Sequence, residues 1–263
     1  MQPGFDGRSN APYDLGLMLI DSLNSPGRRA AQFAAICFAL AMPSVATLAY
    51  FILLSGTPAT KTVYAASKVV LFAFPALWVT LFQRRKIVLL KPRPAGLGGG
   101  AALGVAVVAA MFALYYGYLR DSTALQGAPK AVAHQMTDFA VTSTAHFLVL
   151  AGFISLVNSL GEEYYWRWFV FGQLRESLPL VLAITISSLG FMAHHVLVVG
   201  KFLNGYGPYT WFFSFCVATG GALWAWLYHR TGTLYGPWLS HFLVDAGLMW
   251  VGYDLWQRSL SAT

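Results

Sequence analysis

Glu162 and Glu163 stand side by side in Ser159-Leu160-Gly161-Glu162-Glu163-Tyr164-Tyr165-Trp166-Arg167-Trp168-Phe169. The whole chain of 263 residues has 10 Asp and Glu together, so two adjacent carboxylates in an apolar stretch need a reason. A charged group at membrane depth is costly, and such groups usually have a partner or a chemical task. On a helix, Glu163 and Arg167 are four residues apart, share a face and can pair. Glu162 is rotated about 100° from Glu163 and has no partner of its own on that face. One carboxylate is thus neutralised while the other points elsewhere.

Three further polar features follow in the second half. Phe191-Met192-Ala193-His194-His195 lies within an apolar run. A single histidine in such a run is more often a hydrogen-bonded packing residue than a catalyst. Adjacent residues on a helix point to different faces, so at most one of His194 and His195 is expected to be chemical. His241 and Asp245 are four apart and share a helix face. An ordinary interhelical hydrogen bond would account for them equally well. The short turn Arg230-Thr231-Gly232-Thr233 leads into that last helix.

The elements that carry these residues are membrane helices. The chain is 57% hydrophobic and 10% charged with a mean hydropathy of +0.57, against roughly 25% charged residues in soluble domains. The expected fold is all-α, a polytopic helix bundle. Apolar runs long enough to span, about 20 residues each, fall near 31–54, 63–83, 96–118, 143–172, 178–200, 209–228 and 235–256. That makes seven spans, with an eighth, interfacial helix at 15–23. Residues 1–30 form a cytoplasmic or interfacial segment and 31–258 a single transmembrane domain. No signal peptide is expected, because Asp6, Arg8, Asp14, Asp21, Arg28 and Arg29 interrupt the N-terminal stretch.

The net charge of +7 comes from basic residues between spans and not from a nucleic-acid surface. Arg28, Arg29, Arg84, Arg85, Lys86, Lys91, Arg93, Arg167, Arg175 and Arg230 fall on one side. Lys61, Arg120, Lys130, Lys201 and Arg258 fall on the other. The denser side is cytoplasmic, so the N-terminus is inside and the C-terminus outside. The 119–142 connection is the longest outer loop, and its Gly, Pro and Gln content predicts little structure. Cys37 and Cys216 lie in apolar stretches and suit neither a disulfide framework nor a metal site. Gly98-Gly99-Gly100 reads as close helix packing, not as a phosphate loop. Depth is uneven: Glu162 lies roughly 22 Å and His195 roughly 24 Å from the inner ends of their helices, while His241 is only about 6 Å into its own. The fourth and fifth spans are therefore expected to project beyond the bilayer.

In their order, Glu-Glu-x-x-x-Arg, Phe-x-x-x-His and His-x-x-x-Asp, these motifs resemble those of the CAAX-protease and bacteriocin-processing family of intramembrane endopeptidases. The resemblance rests on Glu162, Glu163 and Arg167, on Phe191 and His195, and on His241 and Asp245. It covers about residues 143–250. It implies that Glu162 and His195 activate a water for attack on a peptide bond, and that His241 with Asp245 holds the oxyanion. Glu163 and Arg167 would support them. Asp245 departs from the Asn of many relatives: an ionised Asp cannot donate a hydrogen bond, so its expected task is to orient His241. The implied partners are a peptide or lipoprotein substrate and the lipid bilayer, which for a prokaryotic chain is the cell (inner) membrane, with no nucleic acid.

No cofactor is expected, because no His-Glu-x-x-His pair sits on one helix. The alternative is Zn²⁺ bound by Glu162, His195 and His241, a common ligand set of zinc hydrolases. Two other functions fit the composition. One is a proton- or ion-coupled transporter with the same residues as its path, against which stands the lack of an inverted repeat. The other is a non-catalytic immunity-type membrane protein, which would not need these four residues in order.

Overall fold

The computed structural model describes residues 26–87, 92, 94–203 and 205–261. Two compact units divide the chain, Met1–Ala39 and Leu40–Thr263. In the first, residues 26–39 are described and are helical. The predicted interfacial helix at 15–23 lies outside the described residues. So do the acidic and basic residues before position 25, and Lys91 and Arg93.

Every regular element among the described residues is a helix. Among the described residues, six helices are long and apolar enough to cross a membrane: α1 (Pro26–Leu53), α2 (Ala59–Phe82), α3 (Gly96–Leu119), α5 (Thr144–Ser177), α6 (Leu180–Phe202) and α7 (Pro208–Thr231). The seventh expected span is α8, Tyr235–Ser261, at 27 residues as long as the others. It carries His241, Asp245, Asp254 and Arg258 and is not among the six. At 34 residues, α5 is about 50 Å long, well beyond the roughly 30 Å hydrocarbon core.

The 119–142 connection is not the unstructured loop its composition predicted. It holds a short 3₁₀ turn, Thr123–Leu125, and the helix α4, Ala128–Asp138. Pro129 sits in the first turn of α4, where its missing N–H costs nothing. Ala128, Val132, Gln135 and Met136 recur at helical spacing and are buried. Ala128, Val132 and Met136 join Tyr115, Leu119, Phe147, Leu255 and Trp256 in one apolar cluster. An amphipathic stretch of only 11 residues was masked by the loop-forming residues around it.

Local signals set the helix ends. Ser143 caps α5 by accepting the backbone N–H of His146 at 3.2 Å. Gly232 ends α7 in the left-handed region at φ 70°, a conformation with little cost only for glycine. That glycine makes the turn that aims α8, and with it His241.

Small residues then bring helices into contact. A Cβ on Gly100 would lie 2.1 Å from the Gly236 carbonyl oxygen, and one on Gly236 would lie 2.3 Å from the Gly96 carbonyl. α3 and α8 therefore touch backbone to backbone. Within the glycine run, Gly100 makes this contact, while Gly98 faces open space.

Candidate active site

Glu162 and Glu163 lie near the middle of α5, and their side chains part as the helix geometry requires. Glu163 is fully buried and sits between two partners. Its Oε2 is 3.2 Å from Nε of Arg167, one turn on, and its Oε1 is 2.8 Å from Nδ1 of His241 on α8. A carboxylate can only accept, so His241 Nδ1 carries the proton in that bond. The pairing of Arg167 with Glu163 follows the four-residue spacing. The bond from His241 to Glu163 has no sequence signal, since the two are 78 residues apart.

Arg167 is itself buried and makes no hydrogen bond through its two terminal nitrogens. Its guanidinium instead lies 4.6 Å from the Phe191 ring centroid and 5.0 Å from that of Trp224. Two aromatic faces thus offset part of its lost hydration. Gly221 leaves room beside it: a Cβ there would come within 3.4 Å of the guanidinium. Trp224 also stacks on His241 at 4.2 Å and donates its indole N–H to Ser240 at 2.9 Å. His241 is held on its face by a ring and at Nδ1 by a carboxylate.

The other nitrogen of His241, Nε2, points toward Asp245 Oδ1 at 3.6 Å and Glu162 Oε2 at 3.8 Å. The uneven depth read from the sequence is therefore no barrier, because α5 and α8 cross where these residues meet. On α6, His195 Nδ1 lies 2.8 Å from the Phe191 carbonyl. A carbonyl accepts, so the proton sits on Nδ1 and Nε2 is left with a free lone pair.

The two adjacent histidines, of which at most one was expected to be chemical, both reach Glu162. Ligand atoms of Glu162, His194 and His195 all lie within 4.8 Å of one another. Two successive helix positions point about 100° apart, and Glu162 stands between the two directions. His194 is buried, stacks on Trp166 at 5.8 Å, and its Nδ1 has no hydrogen-bond partner. The metal-ligand grouping therefore takes His194 as its third member, not His241.

A cavity of ≈ 40 Å³ opens beside Glu162 and His194, lined also by Thr47, Tyr50, Lys68 and Phe72. About 10–15 Å³ is enough to admit a water. Of Glu162, His195, His241 and Asp245, Glu162 alone lines this cavity; His195 has a ligand atom within 4.8 Å of a Glu162 carboxylate oxygen, and His241 Nε2 lies between Glu162 and Asp245.

Sequence reasoning missed Lys68 and Asn158. Asn158, one turn before Glu162, donates from Nδ2 to Glu162 Oε1 at 2.9 Å. Lys68, from α2, donates to Asn158 Oδ1 at 2.5 Å. The available signal was a lone lysine in the middle of an apolar run, which by default marks a functional position.

Residues 144–247 match the family model described as Type II CAAX prenyl endopeptidase Rce1-like. No curated protein and no solved structure matches the chain. The match runs from the start of α5 into α8 and contains all three motifs.

Proposed function

From the match of residues 144–247 to the Rce1-like family model and from the long apolar helices, we propose that the chain is an endopeptidase of the CAAX-protease family, cutting a peptide at the membrane with a water activated by Glu162 and His195. The observation that carries this reading is the approach of Glu162 to a histidine with a bare Nε2, beside a cavity large enough for water. The water gives one hydrogen bond to Glu162 and one to His195 Nε2. Glu162 takes its proton as the oxygen attacks the peptide carbonyl carbon. The resulting oxyanion accepts from His241 Nε2–H. As the C–N bond breaks, Glu162 passes the same proton to the leaving amine, and water has been added across the bond.

Glu163 and Arg167 are supporting residues in this scheme. Glu163 accepts from His241 Nδ1 and holds the ring so that Nε2 faces the reacting atoms. Asp245 and Glu162 lie at the opposite nitrogen, so His241 has acceptors on both sides and can carry two protons. Asp245 thus orients a donor and need not donate itself.

A second reading is favoured by one observation. Glu162, His194 and His195 offer two imidazoles and a carboxylate, the ligand types of many catalytic zinc sites, and His194 Nδ1 is otherwise unpartnered. When bound there, Zn²⁺ would polarise a water. Against it, Glu162 Oε1 already accepts from Asn158, and the Lys68 ammonium stands next in the chain of hydrogen bonds.

The test is cleavage of a farnesylated CAAX-box peptide and its unprenylated twin by purified protein in detergent. Glu162→Gln is expected to abolish cleavage while leaving expression unchanged. An active Glu162→Gln protein would sink the glutamate mechanism. The N-terminus-inside orientation belongs to the same proposal, as does the cell membrane as its site in a prokaryote.

A further inference from the structure

Lys68 is a cation in the middle of α2, a helix of 24 residues with no Asp or Glu. It lies outside the segment that matches the family. No carboxylate lies within ion-pair distance of it among the described residues. Its Nζ is flanked by the rings of Tyr64 and Phe72, one turn away on either side, at 5.5 and 5.8 Å. Its hydrogen bond goes to Asn158 Oδ1, and Asn158 Nδ2 goes to Glu162 Oε1.

The chemistry of the two ends fixes the middle. An ammonium can only donate and a carboxylate can only accept. The Asn158 amide therefore has one orientation that satisfies both, with its oxygen toward Lys68 and its nitrogen toward Glu162. With Lys68 absent, the amide is free to flip or swing. Asn158 and Glu162 are four apart on α5, so the last link is a same-face helix pair. The approach of α2 is built in at the next residue. A Cβ on Gly161 would lie 2.4 Å from the Phe72 ring, one turn from Lys68.

From these contacts we infer that Lys68 is a positioning residue that sets the Glu162 carboxylate through Asn158, with Oε1 engaged and Oε2 left for the reacting water. The first half of the chain, which carries none of the three motifs, thereby supplies a part of the active site. The inference rests on the reading of Glu162 as the base.

Two measurements test it. The first needs no turnover. The chain has four asparagines, at 10, 24, 158 and 204. With ¹⁵N-asparagine protein in detergent micelles, the Asn158 side-chain amide signal is the one missing from Asn158→Leu. Lys68→Met and Glu162→Gln are each expected to move that signal and to leave the others in place. An Asn158 signal unmoved by Lys68→Met overturns the inference, whatever the enzyme does.

The second is turnover of the farnesylated CAAX-box peptide. Lys68→Met and Asn158→Leu are each expected to lower kcat by about 10- to 100-fold, as a slightly misplaced reacting group does, with KM within about twofold. Lys68→Arg, which keeps the charge and a donor, restores most of the rate. The double variant is no slower than the slower single one. Wild-type kcat in Lys68→Met, or losses that multiply in the double variant, overturn the inference. A Glu162→Gln protein that still cleaves removes the base reading, and the amide signal then still judges the Lys68–Asn158–Glu162 chain.

Discussion

Arg167 shows how a fully buried charge is held when its hydrogen bonds are incomplete. It has one carboxylate at 3.2 Å and two aromatic faces, and two nitrogens without acceptors. Arg167→Ala leaves Glu163 as a buried carboxylate with only His241 beside it. The expected cost is about 3–5 kcal/mol, read as a lowered unfolding midpoint in detergent. Arg167→Lys is expected to be nearly as damaging, since a compact ammonium cannot lie flat between Phe191 and Trp224. At the neighbouring histidines, His195→Ala removes the bare Nε2 and is expected to abolish cleavage. His194→Ala is expected to lower activity partially under the glutamate mechanism, because it loses a polar wall of the cavity and the stack on Trp166. Loss as complete as in His195→Ala, together with inactivation by a chelator and recovery with zinc, would transfer the assignment to the metal reading.

Among the helices, the site depends on two close crossings. α3 and α8 meet at Gly96, Gly100 and Gly236, and that contact fixes the start of the helix bearing His241. Gly100→Leu drives a side chain into the Gly236 backbone, which has no flexible end to yield. The expected result is a lower unfolding midpoint and loss of cleavage together, measured on one preparation. The crossing of α5 over α2 at Gly161 is gentler, because Phe72 is a side chain and can turn. Gly161→Ala is expected to fold, to keep KM, and to lower kcat through the displaced Phe72 and Lys68. Unchanged kcat in a well-folded Gly161→Ala protein would show that α2 can shift without disturbing Glu162.

Across the whole molecule, the site draws on more of the chain than the family match covers. Thr47 and Tyr50 from α1 and Lys68 and Phe72 from α2 line the same cavity as Glu162 and His194. The basic residues Arg84, Arg85 and Lys86 follow α2 directly and define the inner face in the proposed orientation. A cysteine at Lys86, in a protein freed of Cys37 and Cys216, is expected to react with an impermeant thiol reagent only after cells are opened. A cysteine at Lys130 is expected to react in intact cells. The reverse pattern would invert the proposed topology.

The helical class, the membrane setting and the three motifs were legible from composition and spacing. Residues three or four apart on a helix share a face whatever surrounds them, so Glu163 with Arg167 follows from local geometry. The partners that crossed the chain were not legible. His241 to Glu163, Lys68 to Asn158 and the inclusion of His194 depend on how far helices approach and how they rotate. Close approaches at glycines 100, 161, 190 and 236 bear on those quantities, and their effect appears only when the facing backbone or ring is known. α4 was hidden for a related reason: its apolar face is short, and only the cluster it packs against makes it a helix. Sequence periodicity thus specified which residues share a helix face, while packing between helices decided which of those faces meet.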